Sequence, residues 1–302
     1  MTSTEEFLNY LTVEQRKSSH TVEAYGRDLR QFAEWCGTAH EELFDAASVT
    51  ANDIRAWIGH LSDNGLTPTS LRRKLQSLRA FYRWGRIREK FPKNPAADVV
   101  LTKKSKKLPE FINPDEVELL LDDQSEEFRA LRQRTILEIL YGLGLRQAEL
   151  LAITDNDINF KGGEIRVTGK RNKQRVLPLP QQLADTIRDW QKARDARYSN
   201  LPAPRPLIAG PHGALSKNQL YRLVRSSLQG ARSAKKSPHM LRHSFATAMV
   251  NNGADLDAVR EMLGHTSLAT TQIYTHLNIK ELLNNYHSGH PRAKEHSKKI
   301  DK

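Results

Sequence analysis

The stretch FRALRQRTILEILYGLGLRQAELLAI, from Phe128 to Ile153, sets the character of the fold. Phe128, Leu131, Ile136, Ile139, Leu140 and Leu143 recur at helical spacing and predict a buried helix face. Gly142 and Gly144 end that helix in a tight turn, and Arg146 follows at once. Downstream the period changes. In GGEIRVTGKRNKQRVLPLP, residues 162–180, Ile165 and Val167 alternate on one segment, and Leu177 and Leu179 on the next, with KRNK near the turn. That pattern predicts a β-hairpin. One hairpin set among helical patterns predicts a mainly α protein with a small β-sheet.

Towards the C-terminus, SPHMLRHSFATAMVNNG (Ser237 to Gly253) reads as another helix. Ser237 suits the N-cap, Pro238 the first turn and Gly253 the stop. His239 and Arg242 then share one side of the first turn, where backbone N–H groups are open and the dipole is positive. Two donor side chains there suggest an anion, such as a phosphate. In EMLGHTSLATTQIYTHL, residues 261–277, Gly264 ends a helix and His265 lies in the turn. Thr266 or Ser267 caps the next helix, from which Tyr274 projects. The polar, basic end, 291–302, is expected to be mobile.

Towards the N-terminus the patterns are helical. Val22, Tyr25, Leu29 and Phe32 recur at helical spacing, as do Ile54, Trp57, Ile58 and Leu61 before Gly65. In TPTSLRRKLQSLRAFYRWG, Leu71, Leu75, Leu78 and Tyr82 make an apolar stripe. Arg72, Arg79, Arg83 and Arg86 make a second stripe, about 100° round the helix. A basic stripe is ordinarily a solvated face. Four arginines with almost no acidic company favour a face that tracks phosphates. From Glu89 to Glu110, three prolines and the run Lys103, Lys104, Lys106, Lys107 break any amphipathic pattern. The organisation expected is a helical domain over 1–88, a basic linker over 89–108 and a second domain over 109–290. The linker would let the two domains clamp a duplex.

Composition narrows the partners. A formal charge of +12 and a pI of 9.7 favour a polyanion, although basicity alone can serve solubility. A mean hydropathy of −0.63, with no apolar run near the ~20 residues of a membrane span, argues against a membrane protein. The acidic start MTSTEEFLNY does not read as a signal peptide. The single Cys36 excludes an internal disulfide and a cysteine-based zinc site, and fits a reducing cytoplasm.

Each polar candidate has an ordinary reading when taken alone. Arg146 would pair with Glu149, Lys170 would be a solvated hairpin lysine, and Tyr274 would be half-buried packing. Their order, Arg, Lys, His-x-x-Arg, His, Tyr, resembles that of the tyrosine recombinases of the phage integrase family. GLGLRQAEL, VTGKRNKQRVLPL, PHMLRHSFAT and MLGHTSLATTQIYTH carry the resemblance over most of 110–290. The N-terminal helices resemble the family's core-binding, SAM-like domain. Ala148 departs from the serine of many relatives, but Arg146 and Glu149 are both present.

The resemblance implies roles for these residues. Tyr274 would attack the scissile phosphorus to give a 3′-phosphotyrosyl DNA and a free 5′-hydroxyl. Arg146 and Arg242 would hold the non-bridging oxygens. His239 and His265 would bind the phosphate or move the nucleophile's proton, and Lys170 would protonate the leaving 5′-oxygen. No metal or cofactor is implied.

Within the family the chain is most similar to the chromosomal Xer recombinases. These imply a homo- or hetero-tetramer on two duplexes, a specific recombination site, a Holliday junction and a related partner recombinase. They also imply a septal DNA translocase, a nucleoid setting and the resolution of chromosome dimers at cell division. The segment Asn284–His290, NNYHSGH, is the candidate for docking on a neighbouring protomer. An integrase or transposase of a mobile element would share the chemistry, and so would a type IB topoisomerase. A non-catalytic DNA-binding regulator would have no use for the six-residue set. His239 and His243 have the spacing of zinc ligands, but Met240 stands where a metalloprotease needs its glutamate.

Overall fold

The structure, a computed structural model, describes residues 2–40, 44–101, 112–121, 127–169, 172–233, 236–264, 284–286 and 288–291. Lys103, Lys104, Lys170, His265, Tyr274 and 292–302 lie outside the described residues. The chain divides into two compact units, Met1–Lys107 and Leu108–Lys302.

The described part of the first unit is built on α1 (Ser3–Val13), α2 (Ser19–His40), α3 (Ala51–Asp63) and α4 (Pro68–Ile87). Thr2, Thr50 and Thr67 head α1, α3 and α4. Each side-chain oxygen accepts from the backbone N–H three residues on, satisfying a donor that the first turn leaves open. The apolar stripes face one core. Leu29 and Phe32 meet Ile54, Trp57 and Ile58, while Leu75, Leu78 and Tyr82 of α4 close the cluster. Asp28, fully buried on α2, accepts from Arg73, from Lys74 Nζ at 3.1 Å and from Ser77 Oγ at 2.8 Å, all on α4. A buried carboxylate is tolerable only with such partners.

The stretch from Glu89 departs from the linker expected there. Phe91, Ala96 and Val99 are buried in the same core, and the Phe91 ring lies 5.1 Å from that of Phe81. Gly85 makes the room, since a side-chain carbon there would stand 2.0 Å from Phe91 Cδ2. Arg79 joins in. Its Nε donates to Ala96 O at 3.0 Å and its Nη2 to Val99 O at 2.7 Å. Prolines exclude a helix here without excluding burial. Within the predicted basic stripe, Arg79 is therefore half-buried and bound to backbone, whereas Arg72, Arg83 and Arg86 are exposed.

In the second unit come α5 (Pro114–Leu121), α6 (Phe128–Gly142) and α7 (Gln147–Ala152), then a 3-10 turn at Asp155–Asp157. An antiparallel sheet follows in the order β1 (Ile158–Asn159), β2 (Glu164–Thr168), β3 (Gln174–Pro178). Next are α8 (Gln181–Arg197), a small hairpin of β4 (Ala209–Gly210) and β5 (Gly213–Ala214), α9 (Lys217–Ser227), α10 (Pro238–Asn251) and α11 (Leu256–Leu263). The second half of α6, Thr135 to Gly142, is buried on every side, with α8, α9 and α10 packed around it. In the predicted hairpin Ile165 pairs with Leu177 and Val167 with Arg175.

Tyr286 and His290 are buried against this core. Their rings stack at 4.7 Å, with Tyr141 and Phe245 at 5.1 and 5.6 Å from His290. Asn252 Nδ2 donates to Gly289 O at 2.8 Å, and the Asp255 N–H donates to Asn285 Oδ1 at 3.0 Å. Within the segment 284–290, Tyr286 and His290 are thus buried on their own unit, with the His290 ring against Tyr141 of α6 and Phe245 of α10, while Asn284 and Ser288 are exposed.

Candidate active site

The site begins at the turn after α6. Gly144 has φ +60°, the left-handed region, and a side-chain carbon on it would lie 2.4 Å from Phe245 Cδ1. The turn delivers Arg146 to the N-cap of α7 in extended conformation. Glu149, three residues on, reaches back to accept from the Arg146 backbone N–H at 2.9 Å.

Glu149 is 3% exposed and is the hub of the site. Its Oε1 accepts from Arg146 Nη1 at 2.7 Å and Arg175 Nη1 at 3.0 Å, and its Oε2 from Arg175 Nη2 at 2.9 Å. Arg242 Nη1 lies 3.8 Å from Oε2. Burial alone would raise the Glu149 carboxyl. Hydrogen bonds from Arg175 and from the Arg146 backbone, with the charge of Arg175, outweigh it and hold the group below its ordinary value of 4.5.

Arg242 is buried on α10, where its Nη1 donates to Gly144 O at 2.7 Å and its Nη2 to Leu263 O at 2.6 Å. Burial, with the charges of Arg146 and Arg175, pushes its guanidinium down to about 10, against the pull of Glu149. It remains charged at neutral pH. Three guanidiniums thus surround one carboxylate, leaving net positive charge in a poorly solvated place. Arg146 is 37% exposed, with its Nη2 3.4 Å from Gly264 O. An anion arriving there meets preorganised donors and relieves the repulsion among them.

The folded chain brings Arg146 and Arg242 together, and it also makes the ordinary Arg146–Glu149 ion pair. His239 is exposed in the first turn of α10, on the same helix as Arg242. Ser237 heads that helix through its carbonyl, which accepts from the Met240 N–H at 3.0 Å. Its hydroxyl makes no cap bond. Arg175 had no assigned role in the sequence reading. Its position carried a signal, because it shares strand parity with the inward-facing Leu177 and pairs with buried Val167. An inward arginine needs an anionic partner. A second missed feature is α9, whose Leu220 and Val224 are buried while Tyr221, Arg222 and Arg225 are exposed.

Residues 110–281 match the phage integrase family, and residues 4–90 match its N-terminal SAM-like domain. The chain belongs to this family, that of the tyrosine recombinases. Within it, the chain is 35% identical to the tyrosine recombinase XerC of Chlorobaculum tepidum, over 95% of this chain and 94% of the relative. It is also 35% identical to the tyrosine recombinase XerD of Staphylococcus saprophyticus, over 96% and 98%. Among solved structures, the XerH site-specific recombinase bound to difH substrate in a pre-cleavage complex aligns with a TM-score of 0.67. That alignment has 24% identity and covers 94% of this chain and 84% of that one. A lambda integrase dimer bound to a COC′ core site aligns at 0.65 with 16% identity, over 91% and 98%. At these identities the structural likeness concerns the fold: a SAM-like helical domain followed by a catalytic domain.

Proposed function

We propose that this member of the family cuts and rejoins double-stranded DNA at a specific recombination site, and that its task is the resolution of chromosome dimers. The observation that carries the chemistry is that Arg146 and Arg242, distant in sequence, share one buried anchor, Glu149. Two guanidiniums fixed this way suit the non-bridging oxygens of a single phosphodiester.

Tyr274 attacks the phosphorus, forming the Tyr Oη–P bond as the P–O5′ bond breaks. The phenolic proton passes to a histidine, His265 or His239, and Lys170 protonates the departing 5′-oxygen. The 3′-phosphotyrosyl linkage keeps the bond's free energy, so a 5′-hydroxyl from another strand reseals it without ATP. Exchange of one strand pair, then the other, passes through a Holliday junction. Four protomers act on two duplexes, with a related recombinase as partner and a septal DNA translocase as regulator. On the DNA, the exposed Arg83 and Arg86 of α4 and Arg222 and Arg225 of α9 face phosphates. This assignment rests on their exposure on helices whose opposite faces are buried.

The test is a nicked duplex that carries the host's candidate site and traps the cleaved strand. Wild-type protein is expected to form a covalent adduct on Tyr274, located by peptide mass. Tyr274→Phe is expected to bind the duplex as tightly and form none. An adduct persisting in Tyr274→Phe would remove this nucleophile.

A further inference from the structure

We propose that Arg175 is a positioning residue for this reaction: it holds Glu149 in place for Arg146 and pins the end of α11 that both phosphate-binding arginines lean on. The inference rests on the recombinase reading above. The first observation is the fork. Arg175 points inward from β3, 14% exposed, and its Nη1 and Nη2 donate separately to the two oxygens of Glu149 at 3.0 and 2.9 Å. Two parallel bonds fix the plane of a carboxylate, which one bond does not. The same carboxylate is what orients Arg146.

The second observation is the helix end. Met262, Leu263 and Gly264 are consecutive, and their carbonyls accept from Arg175 Nε (2.8 Å), Arg242 Nη2 (2.6 Å) and Arg146 Nη2 (3.4 Å) respectively. One turn of backbone therefore sets the position of all three guanidiniums. Arg175 is the member that ties this turn to the hairpin. The third observation is how its donors are engaged. Three of the five N–H groups of a guanidinium are already bound to Glu149 and Met262. Arg175 thus acts through its neighbours, and its loss is expected to slow the chemistry more than it weakens binding.

The experiment measures three quantities on the full chain: the single-turnover rate of adduct formation on saturating nicked duplex, the affinity for that duplex, and the thermal melt. Arg175→Met is expected to slow the adduct about 100-fold while changing affinity by less than about threefold. Arg175→Lys keeps a charge but loses the fork, and is expected to slow it about tenfold. The double variant Glu149→Gln/Arg175→Met is expected to be no slower than the slower single variant, because both changes break one unit.

A wild-type rate in Arg175→Met overturns the proposal. So does a loss confined to affinity, which would mark a direct phosphate contact, and so do losses that multiply in the double variant. If Arg175→Met melts below the assay temperature, Arg175→Lys carries the same readings, and a wild-type rate in it overturns the proposal. Absence of any adduct in the wild type removes the recombinase reading and this inference with it. A wild-type adduct with Arg175 indifferent removes this inference alone.

Discussion

At the scale of single residues, Glu149 is where stability and reactivity meet. Its carboxyl is held below 4.5 in the folded chain. A depressed acid contributes stability that is complete above its unfolded value and lost as pH falls through the folded one. Glu149→Gln is therefore expected to cost about 3 kcal/mol or more at neutral pH, since it leaves three arginines facing one another with no counter-charge. The gap from wild type should hold between about pH 8 and pH 5 and narrow further down, as read from denaturant melts. Adduct formation should fall with it. Arg242 has the opposite sign. Its guanidinium is pushed down to about 10, so its charge costs the free protein stability throughout the neutral range. On the proposed function, a phosphate held by Arg242 would offset that cost.

At the scale of elements, the turn after α6 and the arginine face of α4 separate by different measurements. Gly144→Ala places a carbon against Phe245 and a side chain at φ +60°. It is expected to cost at least about 2 kcal/mol and to displace the carbonyl that Arg242 donates to, so that both the melt and adduct formation drop. On α4, Arg83→Ala and Arg86→Ala are each expected to flatten the salt dependence of DNA binding by about one unit of slope. Arg79→Ala should leave the slope unchanged and lower the melt of the first unit, because its donors serve Ala96 and Val99. The four arginines recur alike in sequence. Periodicity reports which side of a helix a residue occupies, and it is silent on a later segment that folds back to cover one of them.

At the scale of the whole molecule, the extent of the first unit is testable with fragments. One ending at residue 88 lacks Phe91, Ala96 and Val99, all buried in its core. It should be less stable than one ending at 101 by about 3 kcal/mol or more, measured by cooperative melting of each. The mainly helical character, the main hairpin, the apolar stripes and the Arg146–Glu149 ion pair were all legible in the chain. Each depends on residues within a few positions of one another, or on motifs whose order along the chain is itself the signal. Three features were decided only by the tertiary structure: Arg79 half-buried and bound to the backbone of the stretch after α4, Tyr286 and His290 seated on their own unit, and Arg175 on Glu149 and Met262. These are contacts between residues far apart in sequence. A buried charge reveals its partner only when the chain has closed around both.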